Sequence, residues 1–157
     1  MALAEMCGLV AADEGRHEIA YTRIVDKLFE RDPDGAMNAF ADMMKKQIVM
    51  PAHMMDDMAH GSLNGTERNL FADFSTVAES TGVYTASDYA DIMEHLVKRW
   101  EIAGRDFKTG EAAENQEYVM KLPERIRKLS ERAAARAAKQ PKKPVKFSWI
   151  NKRELVI

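Results

Sequence analysis

The chain has 157 residues, of which 46% are hydrophobic and 31% charged, and its formal net charge is −2. This length suits one domain with its own core, and the near-neutral charge excludes whole-chain electrostatic attraction to nucleic acid. No apolar run reaches the roughly 20 residues of a bilayer-spanning helix, and the single cysteine, Cys7, excludes an internal disulfide framework.

The first predicted helix runs from Leu3 to about Phe29, where the turn-forming residues 32–35 follow. One face carries a row of residues whose spacing alternates between four and three, as in a helix that faces its neighbours in a bundle. We call this row the seam; its members are Leu3, Cys7, Val10, Glu14, His17, Tyr21, Ile24 and Leu28. We expect the seam to be buried, with Cys7 as a small core residue rather than a nucleophile.

Glu14 and His17 are the chemically informative members of the seam. Burying a carboxylate and an imidazole in an apolar core is costly unless each finds a partner, and one metal ion satisfies both. Their i, i+3 spacing places both side chains on one helix face, and inward-facing Glu-x-x-His pairs hold two iron or manganese ions in helical bundles. The alternative is a Glu14–His17 pair satisfied by a neighbouring helix without metal.

A complete di-metal site of this type needs a second Glu-x-x-His motif and two further glutamates. The nearest candidate, Asp57-Met-Ala-His60, is followed by a Gly-rich segment at residues 61–65, which predicts a helix end or loop. His53 and His95 each stand alone and favour hydrogen-bonded structural roles over metal binding. The sequence therefore predicts half of a metal site.

Four more helices are predicted after the first. The second follows Gly35 and carries a methionine-rich apolar face, which favours core filling over a channel for a flexible apolar ligand. Residues 56–68 have the composition of a loop. The third helix spans residues 69–80 and is closed by Gly82.

The fourth helix begins at the predicted capping box Thr85-Ala86-Ser87-Asp88 and breaks at Gly104. The fifth spans residues 111–139, with Pro123 marking a kink or a fresh start. Beyond it, residues 146–150 and 154–157 predict a small hairpin or extended segments. We therefore expect an all-α helical domain at residues 1–140 and an extended tail at residues 141–157.

Residues 121–146 carry ten Lys or Arg against two acidic residues, Glu124 and Glu131. This bias is typical of a solvated helix face, and the alternative is a surface that attracts an acidic protein partner.

The N-terminal residues lack both the basic region of a signal peptide and the arginines of a transit peptide. No capping residue opens the first helix, so we expect the chain to begin within a larger domain.

Eight segments, in order along the chain, resemble the C-terminal half of the plant soluble acyl-[acyl-carrier-protein] desaturases of the stearoyl type. They are Ala11-Ala12-Asp13-Glu14-Gly15-Arg16-His17-Glu18, Phe29-Glu30-Arg31-Asp32-Pro33-Asp34-Gly35, Phe40-Ala41-Asp42-Met43-Met44, Met50-Pro51-Ala52-His53, Gly82-Val83-Tyr84-Thr85-Ala86, Asp88-Tyr89-Ala90-Asp91-Ile92, Leu122-Pro123-Glu124-Arg125-Ile126-Arg127 and Phe147-Ser148-Trp149-Ile150. Agreement in order over so many segments is more specific than any single motif.

The resemblance implies a ferritin-like helical bundle, a homodimer, a plastid location and a di-iron centre. It also implies acyl carrier protein bearing the acyl substrate and ferredoxin as partners, with dioxygen used to introduce a cis double bond into a saturated acyl chain. By position, Glu14 corresponds to a carboxylate that bridges both irons and His17 to a terminal iron ligand. Asp13 corresponds to an outer carboxylate that orients a histidine of the other half-site, and Arg16 belongs to the same motif.

Two departures from the family are expected to matter. Gly15 stands where a lysine is more familiar, and glycine inside a helix costs about 0.5–1 kcal/mol relative to alanine. The family's other half, with the second Glu-x-x-His and two further glutamates, has no counterpart here. Because two ligands cannot hold two irons, we expect the chain to be inactive alone; the alternative is a non-catalytic helical protein that retains a dimer or partner surface.

Overall fold

The computed structural model describes residues 2–46, 70–139, 144–146 and 154–156. These residues are overwhelmingly helical, which confirms the predicted all-α class. The helices are α1 (Ala2–Arg31), α2 (Pro33–Lys45), α3 (Leu70–Ser80), α4 (Ala86–Arg99) and α5 (Gly110–Ala137), with a 3₁₀ helix at Ile102–Gly104. They fall into two compact units, unit 1 (Met1–Lys46 and Leu96–Met120) and unit 2 (Gln47–His95 and Lys121–Ile157).

The turn signal at residues 32–35 is a junction between two helices. Asp32 is the N-cap of α2, and its carboxylate accepts a hydrogen bond from the Gly35 backbone N–H at 2.9 Å. Pro33 occupies the first helical position, where its missing N–H has no cost. A Cβ at position 35 would overlap the Asp32 carboxylate in this arrangement, so a larger residue there would require that carboxylate to shift.

Three aromatic rings organise the core of unit 1. The Trp100 ring centroid lies 5.3 Å from that of Phe40, edge to face, and 5.9 Å from that of Phe29. The Trp100 indole N–H donates to the Thr22 carbonyl of α1, so the buried ring keeps its polar atom satisfied. This cluster packs α1 and α2 against the end of α4.

Polar groups connect α2 to α5 within unit 1. Asn115 is only 5% exposed; its side-chain carbonyl accepts from Lys45 Nζ at 2.5 Å, and its amide donates to the Asn38 side chain at 2.9 Å. The Asp34 carboxylate accepts from the backbone N–H groups of Lys108 and Thr109, just before α5 begins. These contacts satisfy donors that a helix start otherwise leaves unpaired.

In unit 2 the sequence signals for helix ends are confirmed. Gly82 has φ of +68° and follows α3, and the Val83 N–H donates to the Ala78 carbonyl at 3.0 Å, as in a glycine C-cap. The capping box that opens α4 is reciprocal: the Thr85 N–H donates to Asp88 Oδ2 at 2.7 Å, and the Asp88 N–H donates to Thr85 Oγ1 at 3.3 Å.

The basic side of α5 is partly committed to ion pairs in unit 2. Arg127 donates to both Asp91 and Glu94 of α4, which raises the pKa of its guanidinium. Lys128 pairs with Glu124 one turn before it. Arg127 thereby ties α5 to α4, a tertiary role that the charge count did not predict.

The fifth helix continues through Pro123, so no fresh start occurs there, and the alternative of a kink stays a prediction. Its buried face differs from the predicted one. Its buried positions include Ala112, Asn115 and Val119, whereas the predicted apolar face was centred on Tyr118, Leu122, Ile126, Leu129 and Ala133. The buried face of α5 is offset by one residue from the predicted apolar face, and the polar side chain of Asn115 lies among its buried positions.

The tail forms two short antiparallel strands, Pro144–Lys146 and Glu154–Val156, with Val145 opposite Leu155. The antiparallel pairing agrees with the predicted hairpin, but the first strand ends at residue 146, where the predicted segment 146–150 begins. The predicted loop at residues 56–68 and the motif ending at His60 lie outside the described residues, as does His53. The division into a domain at residues 1–140 and a tail stays a prediction. Among the described helices, none is both long and apolar enough to cross a membrane.

Candidate metal half-site

The predicted burial of the seam is wrong for this chain. All of its members are exposed, including Cys7, Glu14 and His17. Helix α1 is instead packed through a different face near its C-terminal end, where Phe29 is buried and Thr22 and Val25 are half-buried. The periodicity identified an apolar face of α1 correctly. A face is buried, however, only when another surface packs against it, and the described helices pack against a different face of α1.

Glu14 and His17 nevertheless lie side by side on the helix surface. His17 Nδ1 is 3.3 Å from Glu14 Oε2, and the side chains are 58% and 69% exposed, respectively. The i, i+3 spacing therefore brings a carboxylate oxygen and an imidazole together on one face, as predicted. Exposure removes the cost of burial as an argument for a metal, so within the structure the case for one depends on donor chemistry alone.

Asp13 and Arg16 form a second i, i+3 pair beside the first. The Arg16 guanidinium donates to Asp13 Oδ1, and both side chains are more than half exposed. An exposed ion pair of this kind contributes little to stability, about 0–1 kcal/mol. Asp13 has a second carboxylate oxygen with which to accept another hydrogen bond.

The half-site is incomplete by itself. Within residues 2–46 and 70–139, no group of three or more His, Cys, Asp or Glu side chains is arranged to hold a metal ion. His95, on α4, is exposed and belongs to unit 2. The described residues thus supply two adjacent side chains of types that can bind a metal, a carboxylate and an imidazole.

Unit 1 also contains a charged cleft of about 400 Å³ that the sequence analysis missed. Its lining residues come from α1, from the end of α4 and from the segment that follows it, and they are Arg23, Asp26, Lys27, Glu30, Arg99, Glu101 and Arg105. Arg99 pairs with Asp26 at 2.6 Å, and Lys27 pairs with Glu30 at 2.7 Å. The residues come from distant parts of the chain, so no local sequence motif predicts the cleft. The Arg99–Asp26 pair joins the end of α4 to α1, whereas Lys27 and Glu30 pair within α1.

The fold and the adjacent carboxylate and imidazole define a class: a helical protein with a candidate carboxylate–histidine half-site for a metal. A model of the fatty acid desaturase family matches residues 1–151. The chain belongs to the fatty acid desaturase family.

Its relatives are plant enzymes named stearoyl-[acyl-carrier-protein] 9-desaturase, chloroplastic. The chain is 57% identical to one from Brassica napus over 153 residues, which are 98% of this chain and 36% of the relative. It is 57% identical over 150 residues to one from Solanum commersonii and 55% identical over 157 residues to one from Linum usitatissimum. The chain therefore spans little more than a third of the length of these relatives.

Proposed function

We propose that this chain forms part of a di-iron acyl-[acyl-carrier-protein] desaturase, in which Glu14 and His17 are iron ligands. The observation that carries the proposal is a carboxylate and an imidazole 3.3 Å apart on one helix face, in a chain that belongs to a desaturase family. The substrate is then a saturated acyl chain on acyl carrier protein, the electron donor a ferredoxin and the location the plastid. The whole enzyme is proposed to be a ferritin-like homodimer.

The two donors fit iron in type. Carboxylate oxygen and imidazole nitrogen are the ligands of helical-bundle di-iron sites, and both side chains are accessible to an ion and to donors from other segments. Iron, when bound, supplies with dioxygen and two electrons the oxidising power to remove hydrogen from an unactivated C–H bond. Glu14 contributes negative charge and bridging capacity, and His17 contributes a neutral nitrogen donor.

Asp13 and Arg16 are proposed to position groups around the iron ligands. Asp13 can accept from a histidine N–H of the other half-site through the carboxylate oxygen that does not face Arg16. Such outer carboxylates orient the imidazole and raise its basicity. Arg16 holds the Asp13 carboxylate in place and compensates part of its charge.

We propose that the chain alone does not desaturate substrate, since two donors cannot hold two irons through a redox cycle. A direct assay measures iron per chain together with desaturation of stearoyl carrier protein. Stoichiometric iron with turnover would contradict the proposed inactivity.

The ligand roles can be tested in a chimera in which this chain replaces the matching part of the Brassica napus relative. We expect the chimera to bind iron and to desaturate stearoyl carrier protein. Glu14→Gln and His17→Gln should each lower bound iron and turnover at least about tenfold, as expected for loss of a metal donor.

Two exposed residues outside the seam provide matched controls. Glu5→Gln, more than two turns before Glu14 on the same helix, and His95→Gln, at an exposed position of α4 outside the Glu-x-x-His pair, should leave iron content and turnover unchanged. Chimeras that retain full iron and activity with Glu14→Gln or His17→Gln would refute the proposed ligand roles.

The second candidate function is a non-catalytic helical protein that keeps a docking surface. The exposure of the whole apolar seam favours it, because apolar stripes of this length mark interaction sites. Capture of acyl carrier protein or of a full-length desaturase by the chain would support it, and a monomer that binds neither would count against it.

A further inference from the structure

The charged cleft of unit 1 has more cationic than acidic residues along its walls. Four of its lining residues are Arg or Lys, and three are Asp or Glu. Two of the acidic groups are neutralised, because Asp26 pairs with Arg99 and Glu30 pairs with Lys27. Within the part of the chain that the structure describes, the other three lining residues have no charged partner; they are Arg23, Glu101 and Arg105.

Arg105 is held in place by uncharged groups. Its Nε donates to the Trp100 carbonyl at 2.7 Å, and its guanidinium carbon lies 4.8 Å from the centroid of the buried Phe29 ring. The segment that carries it is also fixed, because the Gln116 side-chain amide donates to the carbonyls of Ile102 and Arg105. A guanidinium that is already oriented loses less entropy when it binds an anion, so Arg105 is a preorganised donor.

Arg23 adds a second cation that the described fold does not use. It precedes Lys27 by one turn of α1, so two cations share one face of that helix. Like charges at this spacing destabilise a helix. Glu30 offsets the charge of Lys27, whereas no carboxylate of the described residues offsets that of Arg23. An anion in the cleft supplies the partner that Arg23 lacks.

Glu101 occupies a position that usually belongs to glycine. It follows the end of α4 with φ of +52°, in the left-handed region that is unfavourable for residues with a side chain. Its negative charge also follows the C-terminal end of a helix, where cations are preferred. Because no cation in the described ranges pairs with it, its carboxylate is left to accept a hydrogen bond from a ligand.

From these three residues we infer that the cleft binds a small phosphate-bearing anion. Arg23 and Arg105 donate to its oxygens, as forked guanidinium groups do with phosphate, and Glu101 accepts from a phosphate oxygen that carries a proton. The cleft volume of about 400 Å³ admits a phosphate with a small group attached. This inference goes beyond the proposed desaturase function and does not depend on the roles of Glu14 and His17.

The unpaired carboxylate distinguishes phosphate from other anions. Near neutral pH a phosphate still carries a proton on part of its population, because its second pKa is about 6, whereas sulfate carries none. Glu101 therefore attracts a protonated phosphate oxygen and repels every oxygen of sulfate. Selectivity of this kind comes from a repulsive contact with the wrong ligand as much as from an attractive contact with the right one.

The experiment titrates the 157-residue chain with inorganic phosphate in a calorimeter, at low ionic strength and about pH 6, where phosphate is largely protonated. We expect saturable binding of one phosphate per chain. Sulfate should bind at least about tenfold more weakly, the effect of one charge-assisted hydrogen bond. Phosphate binding that does not saturate would overturn the inference.

The arginine contacts are tested by substitution. Arg23→Gln should weaken phosphate binding at least about tenfold, and Arg105→Gln should do the same. Arg31→Gln removes the same charge from an exposed position of α1 outside the cleft and should change the affinity less than about twofold. Circular dichroism shows whether each variant folds, and Arg23→Gln decides alone if Arg105→Gln unfolds. Equal affinities of Arg23→Gln and Arg31→Gln would overturn the inference.

The role of Glu101 is tested by the choice between the two anions. Glu101→Gln should bring the sulfate affinity to within about threefold of the phosphate affinity, because the carboxamide no longer repels sulfate. Glu114→Gln, at an exposed position of α5 outside the cleft, should keep the tenfold preference. A parent chain that binds phosphate and sulfate equally would refute the acceptor role of Glu101.

Two further titrations identify the source of the phosphate and extend the test to a full-length protein. Glycerol 3-phosphate that binds more tightly than inorganic phosphate assigns an ester as the ligand, and the reverse order assigns the free ion; either result supports the site if Arg23→Gln weakens it. In the chimera, phosphate binding should again depend on Arg23 and should be unchanged by Glu14→Gln. Loss of phosphate binding in the chimera would show that another segment fills the cleft and would overturn the inference.

Discussion

The two faces of α1 carry similar apolar side chains and have opposite environments. On one face Phe29 is 1% exposed and contacts Trp100. On the other, Leu28, its neighbour in sequence, is half exposed along with the rest of the seam. The comparison teaches that a hydrophobic periodicity identifies a face suited to burial, whereas burial itself requires an apolar surface placed against it.

The largest expected effect comes from removing the aromatic ring on the packed face. Phe29→Ala should lower the free energy of unfolding by about 3–5 kcal/mol, through lost burial and the cavity left beside Trp100. Urea denaturation measures this, with Leu9→Ala on the exposed surface of α1 as the control, expected within about 0.5 kcal/mol of the parent chain. Similar losses for both variants would show that the two surfaces do not differ as described.

Removing the buried polar side chain of Asn115 in unit 1 should cause the next largest loss of stability. Asn115→Ala removes the acceptor of the Lys45 ammonium and the donor to the Asn38 side-chain carbonyl, and we expect a loss of about 1–3 kcal/mol in the free energy of unfolding. Glu114→Ala, at the exposed position just before it, should change the urea midpoint little. An Asn115→Ala variant as stable as Glu114→Ala would mean that water replaces these hydrogen bonds at no cost.

Replacing two of the glycines by alanine should change the free energy of unfolding in opposite directions. Gly82 has φ of +68°, so Gly82→Ala should cost about 1–2 kcal/mol, since a Cβ is unfavourable in the left-handed region. Gly15 lies inside α1 with open space around it, so Gly15→Ala should add about 0.5–1 kcal/mol. Thermal unfolding of both variants tests the contrast; destabilisation by Gly15→Ala would imply a contact at that position.

The smallest expected effect on stability is the contribution of the capping box of α4, which depends on pH. Hydrogen bonds from the Thr85 hydroxyl and backbone lower the pKa of the Asp88 carboxyl. Because the folded-state pKa is below the unfolded-state one, the contribution to stability is present above the ordinary aspartate pKa and is lost as pH falls through the lowered value.

Urea midpoints measured from neutral to acid pH test this assignment. Asp88→Asn should remove the Asp88 part of the decline in stability toward acid pH, and Thr85→Ala should reduce it. If the decline is unchanged in both variants, the capping box does not contribute to acid sensitivity.

Local signals predicted the helices well. Asp32, Gly82 and the Thr85–Asp88 box act within a few residues of themselves, so their hydrogen bonds could be anticipated from sequence spacing. The same holds for the contact between Glu14 and His17, which follows from the helical repeat. The central Asn115 was missed because its partners, Lys45 and Asn38, lie about 70 or more residues away.

The sequence by itself determined where the helices lie, that Glu14 and His17 share a face, and that the chain resembles the desaturases. Only the tertiary structure decided which face of α1 is packed, that Asn115 is the buried polar residue of unit 1, and that the seam remains open. The physical reason is range: helix geometry and capping depend on residues within one or two turns, whereas burial depends on surfaces supplied by distant segments or by another molecule.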